Sequence, residues 1–192
     1  GYYLKVYAGF VKDDEFRSSG TSGGITTWLL TEMLIRGYID GVIHVQPCLE
    51  STSSDRVLFK YAISETVEDV RKGAKSRYYP VEISEVLCKI RDHPGKFAFV
   101  GVPCFVKAVR LLSAADKVFE EKIPFSISLF CGHLKSAKYV DYLIRKVGID
   151  PKNVVYADFR KKLTTSASDY AIEIVEKRNN EETRHTKPMR EL

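Results

Sequence analysis

One segment of the chain reads Phe97-Ala98-Phe99-Val100-Gly101-Val102-Pro103-Cys104, an apolar run that ends in proline and cysteine. A short apolar run bounded by turn residues is typical of a buried strand, and proline suits the first turn of a following helix. The segment Phe125-Ser126-Ile127-Ser128-Leu129-Phe130-Cys131-Gly132-His133 repeats this arrangement. Ligands of open α/β sheets gather beyond the carboxyl ends of the strands. The two cysteines are therefore predicted to lie in a site.

On both sides of these two segments, predicted strands and helices alternate along the chain. Strands are predicted at 2–12, 42–45, 56–63, 96–101, 125–130, 153–159 and 170–177, with a turn at Asn179-Asn180 and a further strand from Glu182. Helices are predicted at 25–36, 83–91, 103–112 and 137–147, with a short helix that Ser64 caps and that runs through Val70, and a loop at 17–24. This order predicts an α/β fold with a mostly parallel sheet, helices on both faces and an antiparallel hairpin near the C-terminus.

Composition narrows the class of protein. The 192 residues are 44% hydrophobic, which is ordinary for one globular domain, here predicted to span 1–192. The net charge of +5 suits an anionic ligand or an acidic partner and is too small to indicate nucleic-acid binding. We find no apolar run long enough for a membrane span and no signal-peptide pattern, so a cytoplasmic protein with free cysteines is expected. Both ends suggest part of a longer protein.

A loop of glycine and hydroxyl residues precedes the first long predicted helix. Glycines let backbone N–H groups approach a ligand closely, and the helix N-terminus favours negative charge. The loop is therefore a candidate phosphate site for a flavin dinucleotide, although it matches neither a Walker loop nor Gly-x-Gly-x-x-Gly. The alternative is a flexible turn that caps the helix. The candidate segment runs from Ser18 to Thr27 and includes Ser22, Gly23, Gly24, Thr26 and Thr27.

The four cysteines differ in whether their sequence position suggests a functional or a structural role. Cys104 lies in the first turn of a predicted helix, where the helix dipole favours the thiolate; the alternative is a small buried apolar residue. Cys131 has Gly132 and His133 beside it. Two ligands are not four, and there is no Cys-x-x-Cys, so a 4Fe-4S cluster would need ligands from elsewhere. Cys88 is interpreted as a core residue, and Cys48 as structural or a third ligand.

Basic and aromatic residues combine in Lys75-Ser76-Arg77-Tyr78-Tyr79-Pro80. The cations could bind phosphate and the aromatic rings could stack on a flat ring; the alternative is a solvated basic turn. The segment His133-Leu134-Lys135-Ser136 offers further anion donors. His44 is interpreted as a hydrogen-bonded strand histidine, and Arg160-Lys161-Lys162 as a solvated surface patch.

Several motifs together resemble the family of coenzyme F-420 hydrogenase/dehydrogenase beta subunits, in the family's order, from about residue 16 to 160. They are Thr21-Ser22-Gly23-Gly24, Gly37-Tyr38-Ile39-Asp40-Gly41-Val42-Ile43, Lys75 to Pro80, Gly95-Lys96 running to Gly101-Val102-Pro103-Cys104-Phe105-Val106-Lys107-Ala108-Val109-Arg110, and Ser128 to His133. The resemblance implies an α/β flavoprotein with FAD and iron–sulfur centres. Such proteins move electrons between a partner and an organic substrate, including the deazaflavin coenzyme and a chlorophyll intermediate.

The resemblance also implies where the cofactors bind. FAD is expected around Ser22 to Thr27 and Lys75 to Tyr78, with Pro103 and Lys135 as further candidates, and a 4Fe-4S cluster on Cys104 and Cys131. Tyr78 and His133 are the candidate proton donors. The ferredoxin-like segment and the later cysteine-bearing segment of many members are not found in these 192 residues, so an electron-carrier protein or ferredoxin-like domain is the expected partner, beside a small-molecule substrate. A non-catalytic electron-transfer or interaction module is the alternative; a nucleic-acid binder is disfavoured.

Overall fold

The computed structural model describes residues 2–48, 57–132 and 134–192. Its helices are α1 (Asp14–Ser19), α2 (Ile25–Ile35), α3 (Val67–Lys72), α4 (Ser84–Asp92), α5 (Pro103–Ala115), α6 (Lys117–Lys122) and α7 (Ala137–Val147), with single 3-10 turns at Pro151–Asn153 and Met189–Glu191. Its strands are β1 (Gly41–Pro47), β2 (Phe59–Ser64), β3 (Phe97–Gly101), β4 (Phe125–Ser128), β5 (Val154–Lys162), β6 (Tyr170–Arg178) and β7 (Glu181–Pro188).

The first sheet has four strands in the order β2-β1-β3-β4. The β1–β3 and β3–β4 pairs are parallel and the β1–β2 pair is antiparallel. Because side chains alternate between faces, Val42 packs with α2 and α3 while its neighbour Ile43 packs with α4, α5 and α6. The predicted mostly parallel sheet with helices on both faces is confirmed.

The second sheet is antiparallel, in the order β5-β6-β7. Asn179 and Asn180 have φ of 49° and 66°, the left-handed conformation that a two-residue hairpin turn requires. The predicted hairpin is confirmed, and it forms this second sheet together with β5. Helix α7 packs on this sheet, in a core that also takes in Phe59 of β2. The Phe59 ring lies 5.7 Å from that of Tyr79 and 6.0 Å from that of Phe159, so one aromatic cluster joins the two sheets.

Three local predictions were wrong. Residues 2–12 form no strand; 2–10 are exposed, because their apolar side chains have no sheet face to pack on. The predicted loop 17–24 overlaps α1, which Asp13 caps by accepting from the Glu15 and Phe16 backbone N–H groups. The cap of α3 is Thr66, since Ser64 is still the last residue of β2. Helix α6 was not predicted.

No helix in the described residues is long and apolar enough to cross a bilayer.

Candidate functional site

Four cations meet where the glycine loop, the 75–77 segment and β5 come together; we call Arg17, Lys75, Arg160 and Lys162 the cation junction. The Lys162 ammonium donates to the backbone oxygens of Arg17, at 2.5 Å, and Ser22, at 2.8 Å. The Ser76 backbone N–H donates to Thr21 Oγ1 at 2.8 Å. The glycine loop is therefore held from two sides by segments distant in sequence.

The cation junction carries an excess of positive charge. Burial lowers the pKa of Lys162, and the nearby charges of Lys75, Arg17 and Arg160 lower it further. Asp158 partly compensates: its Oδ2 lies 3.4 Å from Lys75 Nζ, and its Oδ1 accepts the Arg160 backbone N–H at 2.9 Å. This excess of positive charge beside one carboxylate favours the binding of an anion.

The N-terminus of α2 opens beside the same loop. Gly24 precedes the helix with φ of 76° and no side-chain cap, and a Cβ there would lie 2.6 Å from the Phe16 backbone oxygen. The first turn contains no acidic residue. Thr26 and Thr27 are half-buried and Ser22 is exposed. Free backbone N–H groups at this end can bind an anion. The structure thus brings the predicted loop residues and Lys75-Ser76 together.

Lys75 has an unusual backbone for a residue with a side chain. Its φ is 138°, a backbone conformation that glycine adopts readily and that is strained for a residue with a side chain. The Lys75 side chain is 12% exposed. Such strain concentrates at functional sites.

Arg77 points away from Lys75 into the aromatic cluster. Its guanidinium lies over the rings of Phe59 and Tyr156, at 4.9 and 5.4 Å, and donates to Tyr156 Oη at 3.2 Å. Its Nε and Nη2 are buried without a hydrogen-bond partner among the described residues. Tyr78 packs on Phe159, with ring centroids 5.7 Å apart.

The carboxyl ends of β3 and β4 form a second candidate site, which we call the cysteine edge. Gly101 pairs with Ser128, and the Leu129 N–H donates to the Gly101 oxygen at 2.8 Å. Cys104 and Cys131 each lie three residues beyond this pair, so both follow the same edge of the sheet, and both are exposed. The described residues hold no group of three or more His, Cys, Asp or Glu that could bind a metal. His133 lies outside the described residues.

Tyr61 is a residue of this edge that sequence reasoning missed. Its hydroxyl donates to the Val100 backbone oxygen at 3.2 Å, and its ring stacks on Phe99 at 5.4 Å. Burial raises the pKa of Tyr61, and the charge of a Cys104 thiolate raises it further. The predicted β2 strand contained Tyr61, but only strand pairing places it beside the cysteine.

Pro103 and Lys135 are the two remaining candidates. Pro103 begins α5 beside a groove of about 460 Å³ that Lys107, Arg110 and Ser128 also line. Lys135 precedes α7, with its ammonium 5.0 Å from the Tyr139 ring centroid.

Two interpretations of single residues were wrong. Cys88 is exposed, because the core face of α4 is set by Val86 and Ile90. The patch Arg160-Lys161-Lys162 is solvated only at Lys161, which pairs with Glu173 at 3.4 Å, since alternate residues of β5 face opposite ways.

Two others agree with the structure. His44 is buried, 2.8 Å from Ser64 Oγ and 2.9 Å from Gln46 Nε2, and burial lowers its pKa to about 4. Cys48 is buried, as a structural thiol would be.

Comparison with known proteins identifies the family. The beta-subunit N-terminal model of coenzyme F420 hydrogenase/dehydrogenase matches residues 6–88, and the C-terminal model matches 95–189. A coenzyme F420-dependent sulfite reductase of Methanocaldococcus jannaschii is 28% identical over 176 residues, which cover 83% of this chain and 26% of that protein. The chain thus spans about a quarter of the curated relative.

A solved structure shows the same fold. A chain of the F420-reducing [NiFe] hydrogenase complex from Methanosarcina barkeri superposes with a TM-score of 0.64 at 22% identity, covering 94% of this chain and 59% of that one. The resemblance seen in the sequence motifs is confirmed by the two family models, which between them span most of the chain. The protein therefore belongs to the coenzyme F420 hydrogenase/dehydrogenase beta subunit family, a family of oxidoreductase subunits that transfer electrons.

Proposed function

We propose that this protein is a flavin-dependent oxidoreductase that passes electrons between an iron–sulfur centre or electron-carrier partner and an organic substrate or deazaflavin coenzyme. The observation that carries the proposal is the cation junction, packed against the uncapped N-terminus of α2. This arrangement suits a dinucleotide, whose diphosphate needs positive charge and free N–H donors.

The residues present fit FAD. Lys75 and the loop Ser22 to Thr27 would hold the phosphates, with Gly24 allowing close approach of the backbone. Arg77 and Tyr78 lie along the adjoining segment, where the buried, unpartnered nitrogens of Arg77 offer donors. Bound FAD would supply electron transfer in single or paired steps. Tyr78, half-buried, is the described candidate for orienting a substrate or moving a proton; His133 is the second candidate.

The cysteine edge fits part of an iron–sulfur site. Cys104 and Cys131 are exposed thiols on one edge of the sheet, and Cys104 lies in the first turn of α5. A 4Fe-4S cluster takes four thiolates. The proposal therefore assigns these two as ligands and requires two more from outside the described residues.

The proposed partners follow the relatives. The sulfite reductase is named for its dependence on coenzyme F420, and the solved structure is a hydrogenase complex. We accordingly assign the deazaflavin coenzyme or another small organic molecule as substrate, and an electron-carrier protein or ferredoxin-like domain as partner. All four cysteines are free, as suits the reducing cytoplasm.

The test is an absorbance spectrum of protein purified anaerobically, alone and after reconstitution with FAD, iron and sulfide. Flavin bands at about 370 and 450 nm with a shoulder at about 400 nm are expected. Cys104→Ser and Cys131→Ser should each remove the shoulder and keep the flavin bands. Cys88→Ser, an exposed thiol away from the edge, is the matched control and should change neither.

A second candidate, a non-catalytic interaction module, is favoured by one observation. Leu129, Phe130 and Leu134 are exposed next to Cys131 and offer an apolar contact surface. A folded protein that stays colourless after reconstitution, in this form and as a longer chain, would overturn the oxidoreductase and support the module.

A further inference from the structure

We infer that Arg160 and Lys162, two residues of the second sheet, complete a diphosphate-binding site with Arg17 and Lys75, and that the ligand is the diphosphate of a dinucleotide such as FAD. The inference rests on the proposed function, because it names this chain's own residues toward that cofactor. Lys75 is already expected near FAD from the family resemblance, whereas Arg17, Arg160 and Lys162 are added by the structure.

Lys162 is placed to bind an anion at the mouth of the glycine loop. An ammonium group has three N–H donors. Two of them bind backbone oxygens on both sides of Gly20: the Arg17 oxygen in α1 and the Ser22 oxygen in the loop that leads to α2. In the described part of the chain the third N–H has no acceptor, so it is available to a ligand near the N-terminus of α2, which begins at Ile25.

The Arg160 guanidinium makes two contacts and has one nitrogen without a partner among the described residues. It lies 4.0 Å from the centroid of the Tyr170 ring, and its Nη2 donates to the Ala167 backbone oxygen at 2.7 Å. Its Nε is buried without a hydrogen-bond partner in the described part of the chain. An unmade hydrogen bond of a buried charged group is costly, and a phosphate oxygen would satisfy it.

Lys75 joins the β5 residues to the N-terminal loop. Its Nζ lies 3.4 Å from both Asp158 Oδ2 and the Arg160 backbone oxygen. Both contacts are at the long end of the range for charged groups, so the ammonium can turn toward a stronger acceptor. The adjacent Ser76 N–H already binds Thr21 of the loop.

The charges require compensation that the described residues only partly give. The like charges of Lys75, Arg17 and Arg160 surround Lys162 in a desolvated position, which lowers the pKa of Lys162. A diphosphate would bring two negative charges into this position. The attraction of the four cations to these negative charges would offset the repulsion among the cations.

The four cations come from both of the segments that the two family models match. Arg17 and Lys75 lie in the segment 6–88, and Arg160 and Lys162 in the segment 95–189. A single diphosphate would contact both. Ligand binding is therefore expected to raise the thermal stability of the whole chain rather than of one sheet.

The experiment compares ligands with and without the diphosphate. Apo protein is titrated with FAD and with riboflavin by flavin fluorescence, and with inorganic pyrophosphate by thermal melting. Wild type should bind FAD at least about tenfold more tightly than riboflavin. Arg160→Gln and Lys162→Gln should each weaken FAD binding about tenfold or more, leave riboflavin affinity unchanged and abolish the rise in Tm with pyrophosphate.

Matched controls separate charge from folding. Lys161→Gln removes the neighbouring β5 cation on the other face and should bind FAD like wild type. Lys162→Arg, which keeps the charge, should retain most of the affinity lost in Lys162→Gln. If Lys162→Gln is unfolded at the titration temperature, the test rests on Arg160→Gln, because that substitution breaks no contact to the loop.

The outcomes distinguish the inference from the proposed function. Wild-type FAD affinity in both glutamine variants would overturn the inference and leave the flavin function standing. Equal losses for FAD and riboflavin would also overturn it, since the residues would then only shape the loop. Pyrophosphate binding that depends on Arg160 and Lys162, without any flavin binding, would support the anion site and refute the flavin function.

Discussion

The cation junction and the cysteine edge hold their side chains in opposite ways. At the junction, Lys75 and Lys162 are half-buried and bonded to neighbouring segments. At the edge, Cys104 and Cys131 are exposed, and their places are set by strand pairing of the backbone. A site built from buried contacts within the chain is organised before its ligand arrives. A site built from exposed thiols can be mutated without loss of the fold. A cluster bound there would need further ligands besides Cys104 and Cys131.

The largest contrast should come from two phenylalanines. Phe59→Ala is expected to destabilise the protein by about 3–5 kcal/mol, because its 1% exposed ring joins both sheets below Arg77. Phe130→Ala, at the fully exposed position beside Cys131, should change the free energy of unfolding by less than about 0.5 kcal/mol. Urea unfolding measures both. Similar losses in the two variants would contradict the comparison.

Acid should destabilise the protein through His44, whose pKa is lowered by burial and further by the charge of Arg77. Its folded pKa of about 4 lies below the unfolded value of 6.5, so the unfolded chain takes up the proton first. The contribution of His44 is complete above pH 6.5 and is lost as the pH falls toward 4, a change of about 3 kcal/mol.

Urea unfolding at pH 7.5, 5.5 and 4.5 tests this. In His44→Gln the fall in stability over this range should be flatter than in wild type. Parallel curves for the two proteins would show that another group causes the acid loss.

Two glycines offer a smaller contrast. A Cβ at Gly73, just before the 75–77 segment, would collide with the His44 ring and approach Gln46 Nε2 at 2.9 Å. Gly73→Ala should therefore cost about 1–3 kcal/mol. A Cβ at Gly132, beside Cys131, meets nothing within 4 Å among the described atoms, so Gly132→Ala is the matched control and should be close to neutral. Thermal melting in parallel measures the pair; a neutral Gly73→Ala would refute the tight packing.

The smallest effect on stability is expected at the thiols. Cys104→Ser and Cys131→Ser should each change the free energy of unfolding by less than about 0.5 kcal/mol, because both side chains are exposed. In apo protein, Cys88, Cys104 and Cys131 should react quickly with a thiol reagent, and buried Cys48 slowly. Fast reaction of all four thiols in the native protein would contradict the assigned burial. Protection of Cys104 and Cys131 after iron and sulfide reconstitution would support their role as ligands.

Elements with a strong local signal were predictable. Helix α7 has the predicted bounds because its apolar residues recur at helical spacing between Ser136 and Gly148. The pattern that places Pro103 after an apolar run gave β3 and the start of α5. The segment 2–12 shows the limit of the same signal, since alternation alone supplies no partner strand.

The candidate sites divide in the same way. The sequence by itself indicated the glycine loop, Lys75-Ser76 and the two cysteines, because glycine freedom, helix N-termini and strand ends are local properties of the chain. Only the tertiary structure placed Arg160 and Lys162 at the loop and Tyr61 beside Cys104. Lys162 bonds to the backbone of Arg17 across 145 positions, a contact that depends on how the two sheets pack. Packing forces are long-range in sequence, and no local pattern records which surface residue they will bury.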